Sequence, residues 1–212
     1  MYRNYIKRAL DFTLALLGLV VLSPLLLVLM ILVRVKLGSP VFFGQERPGY
    51  HERIFRLHKF RTMTDARDAA GRLLPDKERL TAFGRLLRRT SLDELPELWN
   101  IVRGDMSFIG PRPLLPEYLP YYTEEERLRH TVRPGLTGLA QASGRNLVNW
   151  DRRLAYDVEY VKNLSFAMDC KVIVKTVRTV LGHTEAVADD TNAAEGNFAE
   201  LRKKRLEETG RL

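Results

Sequence analysis

Asp93 and Glu94 stand side by side in TSLDELPELWN, and arginines crowd the chain on both sides of them. Arg85, Arg88 and Arg89 come just before. Arg112 comes after, in GDMSFIGPRP, where Gly104, Gly110, Pro111 and Pro113 fix a tight backbone around it. Two readings of the carboxylates stay open. Asp is a favoured helix N-cap and acids suit the positive end of a helix dipole, so the pair can be structural. Set among fixed arginines, it can instead belong to a charged functional site. Upstream, ERIFRLHKFRTM reads as a strand with Ile54, Arg56, His58 and Phe60 on one face. Phe55, Leu57, Lys59 and Arg61 share the other. Lys59 and Arg61 side by side can offer two cations to one phosphate group; the plainer alternative is a membrane-surface strand with solvated cations.

Other chemistries find no footing. His51, His58, His130 and His183 have no metal-ligand spacing with Cys170. There is no Walker A pattern, no Gly-x-Gly-x-x-Gly fingerprint and no Gly-x-Ser-x-Gly elbow. Cys170 is the only cysteine, which permits no intrachain disulfide and fits a reducing compartment.

The elements that must position these residues follow from periodicity and punctuation. Leu80, Phe83 and Leu87 recur at helical spacing, giving an amphipathic helix with its arginines near the C-terminal end. A second helix is expected to open around SLDELPELWN, with Pro96 in its first turn, Asp93 near the N-cap and Glu94 just inside. VFFGQERPGY supplies another strand, turned by Pro48-Gly49. Residues 64–78 read as a polar loop or short helix. RPGLTGLAQASGRN carries glycines at 135, 138 and 144, which suit ordinary turns or close approach of backbone N–H groups to a phosphate or base. FAMDCKVIVKTVRTVLG puts Phe166, Ile173, Val177, Val180 and Leu181 on one helical face, and Lys171, Lys175 and Arg178 along another. That pattern suits a helix in the headgroup plane, or a core helix with a solvated side.

The most apolar stretch is FTLALLGLVVLSPLLLVLMILV, residues 12–33. As a straight helix it would rise roughly 33 Å, enough to cross about 30 Å of hydrocarbon. It is too long for a signal peptide, and no small-residue cleavage site follows it. Both flanks are cationic, with Lys7 and Arg8 before and Arg34 and Lys36 after, so a crossing violates the positive-inside rule at one end. Ser23-Pro24 sits at its middle; Pro24 cannot donate a backbone hydrogen bond, and the Ser23 hydroxyl can satisfy a freed carbonyl. A re-entrant hairpin, a kinked crossing and a buried core helix remain open. Residues 1–63 carry ten Lys/Arg against three acids, nearly all of the net charge of +8. Anionic headgroups attract such a segment by about 1 kcal/mol per basic residue; nucleic acid is the other standard partner for a basic protein.

DELPELWNIVRGDMSFIGPRP, KFRTM and RPGLTGLAQASGRN together resemble the signature blocks of the bacterial sugar transferases, the small monotopic phosphoglycosyl transferases, closest to the PglC type. The resemblance runs from MYRNYIKRALDF to DVEYVKNLSFAMD, about four fifths of the chain. It implies transfer of a phospho-sugar from a UDP-sugar to a polyprenol phosphate such as undecaprenyl phosphate. UMP is released and glycoconjugate assembly begins. It implies Asp93 as nucleophile with Glu94 beside it, Mg²⁺ held by Asp93 and Glu94, and substrate contacts from Lys59, Arg61, Arg88, Arg112 and Arg145. It makes Ser23-Pro24 the break of a re-entrant helix. The expected fold is α+β: a membrane hairpin over 1–36, a cytoplasm-facing catalytic domain over 37–183 with interfacial helices and a small hairpin or sheet, and a polar extension over 184–212. The implied setting is the cytoplasmic face of a bacterial inner membrane. The implied partners are a UDP-sugar donor, the polyprenol phosphate acceptor, membrane phospholipid and downstream glycosyltransferases, with no nucleic acid. An N-acetylated or di-N-acetylated sugar is suggested, with galactose and glucose donors open. Two rivals are a non-enzymatic membrane-anchored basic protein that binds lipid or nucleic acid, and a transferase that moves the sugar alone and releases UDP.

Overall fold

A computed structural model describes residues 1–143, 149–181 and 197–208. It is α+β, mostly helical, with two small two-stranded sheets. A turn of π-helix, Tyr2–Ile6, leads into α1 (Lys7–Val21) and α2 (Ser23–Leu37). The two helices are bent by 64° at the Ser-Pro pair. Pro24 has no N–H for the helical ladder, and the Ser23 hydroxyl donates to Val20 O at 2.7 Å, satisfying a carbonyl at the break. No single helix among the described residues is long and apolar enough to cross a membrane; the bent pair passes that test only together.

The hairpin β1 (Phe42–Pro48) and β2 (Ile54–Phe60) is antiparallel, with Phe43 opposite Lys59 and Arg47 opposite Phe55. Then come α3 (Asp76–Arg79), α4 (Ala82–Arg89) and α5 (Glu97–Arg103). β3 (Ser107–Ile109) pairs in parallel with β4 (Gly135–Thr137), and α6 (Glu124–Arg127) lies in the connection between them. α7 (Leu139–Ala142), α8 (Trp150–Lys162), α9 (Phe166–Leu181) and α10 (Phe198–Glu208) complete the order.

Two apolar clusters fasten the bent helices to the rest. Ala15 of α1 packs with Leu57, Leu98, Ile101 and Met106; Leu29, Val33 and Leu37 of α2 pack with Phe60 and Leu87. β2 thus buries one side chain on each face, Leu57 on one and Phe60 on the other, each contributing roughly 1.5–3 kcal/mol. Polar ties add direction. The Arg8 guanidinium donates to Ile101 O and Val102 O, carbonyls at the C-terminal end of α5, at 2.6 and 2.8 Å. Buried Lys7 pairs with buried Asp169 of α9 at 2.8 Å. The outer faces of α1 and α2 leave Leu14, Leu17, Val20, Leu27, Val28 and Ile31 exposed. On α9 the buried side is Asp169 and Val172, while Phe166, Ile173, Val174 and Val177 are exposed.

Candidate active site

The dyad does not sit where periodicity placed it. Asp93 and Glu94 lie in a 3-10 turn, Leu92–Glu94, and α5 begins only at Glu97, with Pro96 at the N-cap position. Asp93 is therefore not a helix cap. The turn runs on i→i+3 bonds, from Glu94 N to Ser91 O and from Leu95 N to Leu92 O, and Pro96 offers no N–H to join them to the α5 ladder. Ser91 enters the turn with φ 54°, a left-handed backbone.

Glu94 gathers the cations. Its Oε1 accepts from Lys59 Nζ at 2.7 Å and from Arg112 Nη2 at 2.9 Å. Burial works against ionising Glu94, but the Arg112 and Lys59 charges outweigh it and hold the carboxyl at about 2. Glu94 in turn holds the Arg112 guanidinium above its ordinary value. Asp93, 7% exposed, accepts no hydrogen bond from any other described residue. Burial pushes its carboxyl up; Lys59 and Arg88 oppose the rise and the Glu94 charge adds to it. A charge-assisted network beside an uncommitted carboxylate can bind a phosphate group and present a nucleophile to it.

Each cation is placed by a separate device. Asn100 of α5, fully buried, takes the His58 N–H at 3.0 Å and donates to Arg56 O at 2.8 Å. That clamps β2 against α5 and brings Lys59 to the dyad. Arg88 reaches in from α4, its Nε donating to Thr62 Oγ1 at 2.9 Å. Gly84 permits the approach: a Cβ there would meet Thr62 O at 1.9 Å. Arg112 follows β3, where the chain is held by Gly110 N to Thr137 O and Gly135 N to Pro111 O. Its carbonyl accepts from Arg129, which forms a buried ion pair with Asp157 at 2.8 Å. A Cβ on Gly135 or Gly138 would fall within 2.1 or 2.2 Å of Gly110 backbone. Those two glycines are needed for the approach of the two strand segments.

Of the expected cations, Lys59, Arg88 and Arg112 act on the dyad. Arg61 does not join them. β2 ends at Phe60, and the Arg61 guanidinium is taken by Met63 O, Ser39 O and Asp65. Arg145 lies outside the described residues. Sequence reasoning missed Glu97, a carboxylate 2% exposed with Oε1 3.3 Å from Lys59 Nζ. Burial pushes it up to about 7, against the Lys59 charge and with that of Glu94. In DELPELWN it reads as an ordinary first-turn acid, and only its position beside Lys59 sets it apart. Among the described residues no group of three or more His, Cys, Asp or Glu is arranged to hold a metal. The donors on hand for one are the Asp93 carboxylate and Glu94 Oε2, which accepts no hydrogen bond from a described residue. Two carboxylates suit Mg²⁺, which draws its other ligands from water and substrate phosphates.

Known proteins share this arrangement of sequence. A sequence model described as "Bacterial sugar transferase" matches residues 2–183. "Uncharacterized sugar transferase EpsL" of Bacillus subtilis (strain 168) is 53% identical over 176 residues, 83% of this chain and 87% of that protein. "Undecaprenyl-phosphate galactose phosphotransferase" of Salmonella typhimurium is 37% identical, over 84% of this chain and 41% of its own length. "Undecaprenyl-phosphate glucose phosphotransferase" of Komagataeibacter xylinus is 41% identical, over 81% of this chain and 35% of its own. The chain that carries this dyad and its cations belongs to the bacterial sugar transferase family and is a phosphoglycosyl transferase.

Proposed function

We propose that the protein transfers a phospho-sugar from a UDP-sugar to a polyprenol phosphate in two steps through Asp93. In the first, an Asp93 carboxylate oxygen bonds to the sugar-bearing phosphorus, and the bond from that phosphorus to the bridging oxygen breaks. UMP leaves with the electron pair. In the second, an oxygen of the polyprenol phosphate attacks the same phosphorus and the Asp93 carboxylate departs, leaving a polyprenol diphosphate sugar. The observation that carries the reading is the buried Asp93 carboxylate, which accepts no hydrogen bond from another described residue, beside a Glu94 that holds Lys59 and Arg112. Attack of one anion on another needs cations already in place. Lys59 and Arg112 can pass from Glu94 to the phosphate oxygens as the donor enters, Arg112 as a fork. Mg²⁺ on Asp93 and Glu94 would neutralise charge on the diphosphate. Two of the relatives name undecaprenyl phosphate as their substrate, which favours that class of acceptor.

The membrane reading belongs to the same proposal. The bent α1–α2 pair dips into the cytoplasmic leaflet of a bacterial inner membrane and returns, with α9 along the headgroups. Its exposed apolar outer face, its cationic ends and the break at Ser23-Pro24 support this. The dyad then lies near headgroup depth, where a lipid phosphate sits.

Incubation with a panel of UDP-sugars and Mg²⁺ without acceptor tests the chemistry. UDP-galactose, UDP-glucose and N-acetylated donors belong in the panel. Intact mass is expected to rise by one sugar phosphate, with UMP released and with no adduct on Asp93→Asn. An adduct that survives Asp93→Asn, or release of UDP, would overturn the assignment.

A further inference from the structure

Among the described residues each buried cation is matched by a carboxylate, Lys7 by Asp169, Arg61 by Asp65 and Arg129 by Asp157, and half-buried Lys59 and Arg112 are matched by Glu94. Arg47 is not. Its one hydrogen bond runs from Nη2 to the neutral Gln45 Oε1, at 2.6 Å. Its Nε is buried and donates to nothing, and no carboxylate among the described residues pairs with it. Antiparallel register puts Gln45 opposite Leu57 and Arg47 opposite Phe55, so Arg47 is on the face of the hairpin that carries Leu57 and Lys59 toward the dyad. The charges it feels come from the site: Arg112 repels it, and Glu97 attracts it. Tyr118 and Tyr122 also favour its charged form.

Burial, and then the Arg112 charge, lower the guanidinium to about 10, so it remains a cation at neutral pH. A half-buried guanidinium with a buried, unspent Nε and a like charge acting on it is an unfavourable arrangement by itself. An oxyanion arriving beside Arg112 reverses every unfavourable part of it. Gln45 holds the side chain in place without neutralising it, which leaves the charge for a ligand.

We infer that Arg47 is a further phosphate-binding cation of this site, donating beside Arg112 to an oxygen of a substrate phosphate ester. The inference rests on the reading of the site as one that takes phosphate esters. The chemistry is common to the diphosphate of the donor and the phosphate of the lipid acceptor.

The test uses full-length protein in detergent, with Arg47→Gln and Arg47→Lys. Inorganic pyrophosphate, UMP and a short-chain polyprenol phosphate are the thermal-shift probes, and KM and kcat are measured for both substrates. Wild type is expected to be stabilised by pyrophosphate. Arg47→Gln is expected to keep its unliganded melting temperature, to lose that response, and to raise one KM by about tenfold. Arg47→Lys recovers part of the affinity, since an ammonium lacks the guanidinium fork. Loss of the UMP response places Arg47 on the donor, and loss of the polyprenol phosphate response places it on the acceptor. A pyrophosphate response absent from wild type, or equal in wild type and Arg47→Gln, overturns the inference. So does a lowered melting temperature with both KM values unchanged. Should Arg47→Gln not fold, an unchanged pair of KM values in Arg47→Lys overturns it as well. Loss of pyrophosphate binding in a protein that forms no Asp93 adduct would sink the covalent mechanism and leave Arg47 standing.

Discussion

Lys59 Nζ lies 2.7 Å from Glu94 Oε1, and the two charges act in opposite directions on the neighbouring carboxyl of Asp93. Burial raises the Asp93 carboxyl, Lys59 is the foremost charge opposing the rise, and Glu94 adds to it. In the proposed mechanism Asp93 attacks as the anion, so activity is expected to be lost as pH falls through its pKa. Lys59→Ala therefore shifts the acidic limb of the kcat/KM profile to higher pH, besides lowering kcat about 10²–10³-fold through lost stabilisation of the transferred phosphate. Glu94→Gln removes a raising charge and leaves Lys59 nearer to Asp93 alone, so its acidic limb moves to lower pH. Initial rates across pH 4 to 8, with saturating acceptor, check both directions. Limbs that move together would contradict the assignment.

Glu97 makes the opposite kind of statement, about stability. Its carboxyl is raised from an ordinary 4.5 to about 7 by burial, despite Lys59 nearby. A carboxyl raised on folding is accommodated as the neutral acid. Its contribution is fully present below the unfolded value and is lost as pH rises through the folded one. Glu94 runs the other way, its contribution present above the ordinary value and lost as pH falls toward 2. Between pH 5 and 8 the Glu97 effect is the one that varies. Glu97→Gln mimics the neutral acid, so its advantage over wild type grows with pH across that window, to roughly 1–3 kcal/mol at pH 8. Denaturant melts without Mg²⁺ at pH 5 and pH 8 measure the difference, and equal gaps at the two pH values would refute the burial argument.

What could be read from the sequence was whatever is local. Asp93-Glu94, Lys59 and Arg112 stand in motifs whose residue types announce charge chemistry, and Ser23-Pro24 marks its own bend. The amphipathic pattern around Phe83 and Leu87 located α4. Failures came where a distant partner decided the outcome. Alternation put Arg61 beside Lys59, but the strand stops one residue earlier and Ser39 and Met63 carbonyls claim the guanidinium. Asn100 looks like any polar residue of a helix, yet it clamps β2 from more than forty positions away. The parallel β3–β4 pair is three residues long on each strand, too short to give a period, and its glycines declare themselves only once the strands meet.

The break at Ser23-Pro24 carries a topological prediction. With a 64° bend and cationic residues at both ends, the proposed hairpin keeps residues 4 and 35 on one side of the membrane. Single cysteines introduced at Asn4 and Val35, in a Cys170→Ser background, should react alike with a membrane-impermeant thiol reagent added to inside-out vesicles, and neither should react in right-side-out vesicles. Replacing both Ser23 and Pro24 by Ala restores the missing N–H and favours a straight helix, so position 4 is expected to become accessible from the opposite side in part of the population. Opposite labelling of the two positions in the unaltered break would mean a crossing.

The C-terminal helix α10 lies beyond the residues that the family shares, and one ring fastens it. Phe198 is fully buried against Tyr118, Trp150 and Tyr122, with ring centroids 5.2–5.4 Å away. Ala199 and Leu201 pack partly buried against the same cluster, and ionic ties run from Arg202 to Glu126 and Asp151 and from Arg205 to Asp151. Partly exposed pairs of this kind contribute about 0–1 kcal/mol each, whereas truncating a buried Phe to Ala costs about 3–5 kcal/mol. Docking of α10 therefore depends on the ring. In Phe198→Ala the Lys203–Lys204 segment becomes sensitive to trypsin and Trp150, now wetted, shifts its emission to the red. Arg205→Ala should change neither much. Turnover should survive in both variants, because among the described residues no hydrogen bond or ion pair joins α10 to Asp93, Glu94, Lys59 or Arg112. Protection from trypsin that persists in Phe198→Ala would mean that the ion pairs, and not the aromatic cup, hold the helix in place.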